Sequence, residues 1–126
     1  MDQDLHFQHK TAFASGATTT TYMLTPYACK LRDVTGVVQG DPGEAETLTI
    51  AGGGTVASGA SGATNDLGVL TFGSGITAGA EGTWAADSTN GEMTLVAGSL
   101  LKLSTSAAAA ADLDLDIEFD PYARKA

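Results

Sequence analysis

Acidic side chains dominate the segment ADLDLDIEFD, residues 111–120, where they alternate strictly with large apolar ones. Carboxylates at this density hold Ca²⁺, serve in pairs as general acid and base, or meet a basic partner. A repeat of two predicts a strand with the acids on one face and Leu115 and Ile117 buried on the other. Alternate side chains on a strand lie about 6.5–7 Å apart, too far for a cation cage without other ligands. We therefore predict that Asp114 and Asp116 are exposed on a solvated face that resists edge pairing.

The other residues that could do chemistry are few. His6 and His9 are the two histidines, and Cys29 is the single cysteine. The histidine pair has no third histidine or neighbouring cysteine to complete a metal site, and a Ser-His-Asp or Cys-His site would have to recruit this N-terminal segment. The segment GSGITAG, residues 73–79, departs from the spacing of a dinucleotide-binding loop. We predict no catalytic residue, no cofactor and no bound metal.

The overall charge narrows the range of partners. The chain has 126 residues, which suits one domain, and a formal net charge of −9. A surface this acidic repels phosphate, so nucleic acid and anionic membranes are not expected partners. No apolar run approaches the roughly 20 residues that span a bilayer, and no Sec-type leader is visible. The lone Cys29 excludes an internal disulfide and fits folding in a reducing cytosol.

Small residues make the hydrophobic content misleading. Of the 126 residues, 21 are alanine and 16 are glycine. Alanine brings little apolar area into a core, and each glycine adds backbone entropy that is lost on folding. This composition predicts a thin core and therefore self-association, as a homodimer or a homotrimer.

Short strand-like segments separated by turn residues recur along the chain. Their spacing predicts about eight strands in an antiparallel β-sandwich or barrel. The Asn90-Gly91 dipeptide between two such segments predicts a hairpin. A change of apolar phase at Thr35-Gly36 predicts a bulge, and the glycine-rich residues 51–63 predict a flexible loop.

Several of these segments together resemble a known group of proteins. They are VTGVVQGDPGEAETLTI, GVLTF, VAGSLLKLSTSA and DLDIEFDPYA, which fall between residues 34 and 123. The succession of a Val-rich strand, a Pro-Gly turn, a Thr-flanked strand, small-residue loops and a closing IEF strand is similar to the small head decoration, or cement, proteins of tailed bacteriophages. The resemblance extends over roughly residues 18–121.

This resemblance implies a jelly-roll fold and a non-enzymatic structural role in the virion. Such a protein is made in the host cytoplasm, binds the outer surface of the phage head as a homo-oligomer, and bridges subunits of the major capsid protein. We divide the chain into an N-terminal arm (1–17), a β-sandwich (18–121) and a C-terminal tail (122–126). Within the arm, Leu5, Phe7 and Phe13 are the predicted anchors to the capsid or to a neighbouring copy, because they are sizeable apolar residues in a polar stretch.

An alternative hypothesis is a carbohydrate- or receptor-binding β-sandwich from a phage fibre or a bacterial adhesin. Its candidate residues are aromatic, since aromatic rings form platforms for sugars: Tyr22, Tyr27, Trp84 and Tyr122. Specific glycan binding that depends on Trp84 would favour this alternative over the capsid role.

Overall fold

The protein is all-β in the part of the chain that a computed structural model describes, which comprises residues 5–13, 19–25, 28–40, 46–55, 65–73, 77–90, 94–95, 97–106 and 111–120. Nine strands occur in it: β1 (Leu5–Phe13), β2 (Thr20–Leu24), β3 (Cys29–Val38), β4 (Glu46–Thr55), β5 (Asn65–Phe72), β6 (Thr83–Ala86), β7 (Thr94–Leu95), β8 (Ser99–Thr105) and β9 (Ala111–Asp120). Three segments of the sequence lie outside the described residues: DPGE at 41–44, where a Pro-Gly turn is predicted, the alanines at 107–110, and the predicted tail at 122–126.

The strands form two antiparallel sheets that pack face to face, which confirms the predicted β-sandwich. One sheet has the order β1-β9-β3-β7 and the other β2-β8-β4-β5-β6. The pairing is nested: β1 pairs with β9, β2 with β8, β3 with β7, and β4 with β5. Nested pairing distributed over two sheets is the arrangement of a jelly roll, and β6 is an additional strand at one edge.

The last strand, β9, is central to the four-stranded sheet and behaves as its alternation predicts. Leu115 is 1% exposed and Ile117 is 0% exposed, between the flanking strands β1 and β3. Asp114 and Asp116 point to the opposite face but are half-buried rather than fully exposed. Side chains from both neighbouring strands cover them in part, because β9 is an interior strand and not an edge.

The N-terminal segment differs from the predicted arm. Residues 5–13 form β1, which pairs with β9 along its whole length, from Leu5 opposite Phe119 to Phe13 opposite Ala111. The boundary predicted at residue 18 is therefore corrected for residues 5–13, which belong to the sandwich. The physical reason is that β9 has two backbone edges to pair, and β1 bonds to the edge that β3 leaves open.

Two local predictions are corrected by the long-range pairing. The Asn90-Gly91 dipeptide does not join a hairpin, because β6 pairs with β5 whereas β7 pairs with β3 in the other sheet. The Asp87 side chain instead accepts hydrogen bonds from the backbone N–H groups of Thr89 and Asn90 where the chain crosses between sheets. The glycine-rich segment at 51–55 continues β4, which pairs with β8 as far as Thr55.

The bulge in β3 lies earlier than predicted, and the glycine at position 36 has a different role. The register of β3 against β9 shifts between Leu31 and Asp33 rather than at Thr35-Gly36. Gly36 stays in register and faces the core, where a Cβ atom would lie 2.5 Å from a methyl carbon of Leu70. A glycine is needed there because the two sheets approach too closely for any side chain.

One side of the sandwich is closed by backbone hydrogen bonds between the sheets. Val38 donates to the carbonyl of Ala80, Gly79 donates to the carbonyl of Val38, and Gly82 donates to the carbonyl of Gly36. The segment before β6 therefore crosses to β3 of the other sheet. On the opposite side, where β1 and β2 are the edges, the Thr11 and Thr21 hydroxyls form a hydrogen bond between the sheets at 3.2 Å.

The central position of Ile117 generates a prediction. We expect Ile117→Ala to lower the free energy of unfolding by about 2–5 kcal/mol, since it leaves a cavity between the sheets. Ile117→Asp should abolish folding, because a buried unpaired charge costs several kcal/mol more. Denaturant unfolding followed by circular dichroism measures both. Asp116→Asn on the opposite face of β9 is the control, and equal losses for Asp116→Asn and Ile117→Ala would contradict the assignment of faces.

The place of β1 in the sheet generates a second prediction. A chain that starts at Thr18 lacks the strand covering one edge of β9, so it should lose its cooperative thermal transition. Gln8→Ala, which removes only an exposed side chain of β1, should change the free energy of unfolding by less than about 1 kcal/mol. A truncated chain that melts cooperatively at the temperature of the full chain would show that β1 is dispensable.

Candidate interaction surfaces

The predicted anchors lie within the sandwich rather than on a separate arm. Phe7 is half-buried and packs against the core, with its ring centroid 5.6 Å from that of Phe119 in an edge-to-face arrangement. Leu5 and Phe13 also belong to β1, opposite Phe119 and Ala111 of β9, and their side chains lie outside the part of the chain that the structure describes. Phe7 therefore contributes to the fold, and its contact with a capsid or a neighbouring copy stays a prediction. The two-residue spacing of Leu5 and Phe7 was the sequence feature that could have predicted a strand here.

The outer face of the four-stranded sheet carries the carboxylates of β9, and we call it the acidic face. Polar side chains of the flanking strands reach over it. Lys10 Nζ lies 2.8 Å from Asp114 Oδ1, and Gln39 Nε2 donates to Asp114 Oδ2 at 3.0 Å. Gln8 Nε2 donates to Asp116 Oδ1 at 3.3 Å, and Arg32 contacts Asp120 at 3.3 Å. These partners offset part of the repulsion along β9.

A shallow depression of about 420 Å³ lies at one end of the acidic face, lined by Lys10, Thr11, Gln39, Asp112 and Asp114. It is open to solvent, and within it both Lys10 and Gln39 bond to Asp114. Among the described residues, no group of three or more His, Cys, Asp or Glu side chains is placed to hold a metal ion. His6 and His9 belong to β1, but their side chains lie outside the part of the chain that the structure describes.

The outer face of the five-stranded sheet has a different character, and we call it the neutral face. Its outward positions are mostly threonine, serine, alanine and valine. One cross-strand row runs through all five strands without a charge: Thr20, Ser104, Thr49, Val69 and Ala85. A second row, Thr47, Thr71 and Thr83, is also uncharged. The charged residues among its described outward positions are Lys102 and Asp66. The face is therefore flat and nearly uncharged on a strongly acidic protein.

Two large apolar side chains border the neutral face. Tyr22 is 44% exposed and Leu24 is 48% exposed, both on the edge strand β2. Each faces outward, because the alternate residue Met23 packs against the core. The sequence alone predicts neither the neutral face nor this edge. The usable signal is the alternation in residues 46–50, where the uncharged Thr47 and Thr49 alternate with Leu48 and Ile50.

The aromatic residues do not form one platform. Trp84 packs against the core over Gly68, where an added Cβ would clash with the indole ring. Tyr22 is on β2 and Trp84 on β6, at opposite edges of the same sheet, so four strand spacings of about 4.8 Å separate them. Tyr27 and Tyr122 lie outside the described residues. The structure therefore gives no common sugar-binding surface to Tyr22 and Trp84.

Cys29 is inert in its surroundings. It is fully buried at the start of β3, opposite Leu95. Burial, reinforced by the negative charge of Asp120, raises the pKa of the Cys29 thiol to about 11. A thiol that stays protonated at neutral pH is a poor nucleophile and a poor metal ligand, so Cys29 acts as a small core residue.

Comparisons with known protein families and curated proteins identify no relative of the chain. No family model matches the chain, and a search of curated proteins finds no match either. The described part of the chain contains no helix long and apolar enough to cross a membrane. Function must therefore be inferred from the fold and from the two contrasting faces.

The raised pKa of Cys29 generates a prediction of pH dependence. The folded-state pKa of about 11 exceeds the ordinary value of 9.0, so folding favours the protonated thiol. Its contribution to stability is complete below pH 9 and is lost as the pH rises towards 11. Over that range the wild type should lose up to about 2–3 kcal/mol more unfolding free energy than Cys29→Ala. Parallel pH profiles of denaturant unfolding for the two proteins would contradict this assignment.

Proposed function

We propose that this protein is a non-enzymatic structural protein of a phage virion, a decoration or cement protein that binds the outside of the head. The observation that carries the proposal is the neutral face. The protein has a net charge of −9, yet the outer face of its five-stranded sheet carries almost no charged side chains. Depletion of charge is typical of the buried centre of protein–protein interfaces. The nested strand order and the sequence resemblance support the same class, although a fold alone does not define a function.

The two faces suggest how the protein would sit on a capsid. Docking the neutral face removes few charges from water, because its central row contains only small uncharged side chains, and the cost of desolvation is low. The acidic face, with Asp112, Asp114 and Asp116 on β9, then points away from the capsid into solvent. Threonine and serine hydroxyls across the neutral face supply donors and acceptors for an extended partner surface.

A cement protein acts by bridging. A single weak contact would not hold neighbouring subunits of the major capsid protein together, but contacts to two or more subunits at once multiply through effective concentration. A homo-oligomer adds further contacts, because each copy presents the same binding surface. In this proposal the protein is made in the host cytoplasm and joins the head from outside.

The direct test is binding to heads purified from phage whose genome encodes this chain, after deletion of its gene. Added protein should bind these heads at saturable sites, and cryo-EM should show it on their outer surface. Decorated heads should resist heating better than undecorated ones. If the protein shows no saturable binding to the heads, the proposal is overturned.

A matched pair of variants tests the face. Thr49→Glu places a charge in the central row of the neutral face and should weaken head binding at least about tenfold, which corresponds to 1.4 kcal/mol. Thr35→Glu makes the same change on β3, opposite Asp116 on the acidic face, and should leave binding nearly unchanged. Both variants should retain a cooperative melt. Weaker binding for Thr35→Glu alone would assign the contact to the acidic face instead.

A further inference from the structure

The four sheet edges of the sandwich are protected unequally. Exposed edge strands invite pairing with other chains, and monomeric proteins shorten them, charge them or cover them. The edge strand β7 has two residues, and β6 has four, with Glu81 and Asp87 just beyond its ends. The edge strand β1 carries Lys10, whose side chain is 83% exposed. In the described part of the chain, the remaining edge strand, β2, has none of these protections.

The composition around β2 makes the contrast sharper. No charged residue occurs between Lys10 and Lys30, and β2 lies in the middle of this uncharged stretch. Tyr22 and Leu24, the exposed large apolar residues of the described chain, are both on it. An uncharged edge with exposed apolar side chains is what a strand that pairs with another strand would have.

The backbone of β2 is oriented for such pairing. Thr105 donates its N–H to the carbonyl of Thr19, and Thr25 donates its N–H to the carbonyl of Ser99. In an antiparallel ladder the residues directed at the partner alternate, so the odd-numbered residues of this stretch bond towards β8. The N–H and C=O groups of Thr20, Tyr22 and Leu24 therefore point to the open edge, where the described residues supply no paired strand.

The distribution of charge on the protein favours a second copy of the same chain as the partner of β2. Two copies of a chain with a net charge of −9 repel each other unless they meet through an uncharged region. The acidic face belongs to the other sheet, so contact through β2 keeps the carboxylates of β9 away from the contact strands. The strand TTYML is also self-complementary about Tyr22, since a two-fold axis there sets uncharged residues against uncharged residues.

We propose that β2 pairs antiparallel with β2 of a second copy about a two-fold axis at Tyr22, so that the protein is a dimer with a continuous ten-stranded sheet. Tyr22 faces Tyr22 of the partner subunit, and Thr20 faces Leu24 of the partner subunit. These positions are the ones whose backbone groups point outward, so the pairing makes about six backbone hydrogen bonds. The two neutral faces merge into one surface. The dimer stands independently of the capsid role.

A cysteine cross-link tests this register. In hydrogen-bonded antiparallel pairs the Cα atoms lie about 5.5 Å apart, within disulfide range. Tyr22→Cys should therefore oxidise to a covalent dimer in the full chain. Thr20→Cys, on the same strand but not opposite itself, should stay monomeric on a non-reducing gel. The native Cys29 does not interfere, because it is fully buried. Equal cross-linking of the two variants would overturn the proposed register.

The oligomeric state provides the second measurement. Sedimentation analysis of the full chain should show a dimer, and Tyr22→Glu should raise its dissociation constant at least tenfold by placing two like charges at the axis. Ala85→Glu, on the opposite edge strand β6, should remain dimeric. A wild type that is monomeric or trimeric, or a Tyr22→Glu variant that dimerises as well as Ala85→Glu, would overturn the proposal, whatever the outcome of head binding.

Discussion

The pairing of β9 with both β1 and β3 is the constraint on which the rest of the structure depends. It places the last strand in the interior of its sheet, and interior strands have neighbours on both sides. The inward row of β9, from Leu113 to Phe119, is then buried by the opposing sheet. The outward row of carboxylates must lie side by side with residues of two other strands, and Lys10, Gln8 and Gln39 bond to it there. The carboxylates of the acidic face are thus held by side chains of the neighbouring strands.

The separation of charge between the two sheets follows from the same arrangement. Because β9 belongs to the four-stranded sheet, its acids are confined to that side of the sandwich. The other sheet exposes threonine, serine and small apolar residues, with Tyr22 and Leu24 at its β2 edge. The result is a protein with one acidic side and one nearly uncharged side. This polarity, rather than any cleft or cluster of reactive groups, is what our functional proposal uses.

The sequence predicted the fold class and the strand faces where the pattern was regular. The alternation in β9 is strict, so Leu115 and Ile117 were placed correctly. In β1 the two-residue period of apolar residues that begins with Leu5 and Phe7 is interrupted by His9 and Thr11 in the sequence, and the strand was interpreted as an arm. The Asn90-Gly91 turn misled because local turn chemistry cannot show which sheet each flanking strand joins. The neutral face was missed for a similar reason, since it exists only after five distant segments are aligned.

Nested pairing also has a consequence during synthesis. The β4–β5 hairpin is local and can form as soon as residue 72 has left the ribosome. In contrast, Leu5 pairs with Phe119, so the first strand must wait for nearly the entire chain before its partner exists. Until then β1 and β2 are unpaired edges on a nascent polypeptide, and contacts of such long sequence separation form slowly. Folding of this domain is therefore expected to be completed only after residue 119, the partner of Leu5, has been synthesised.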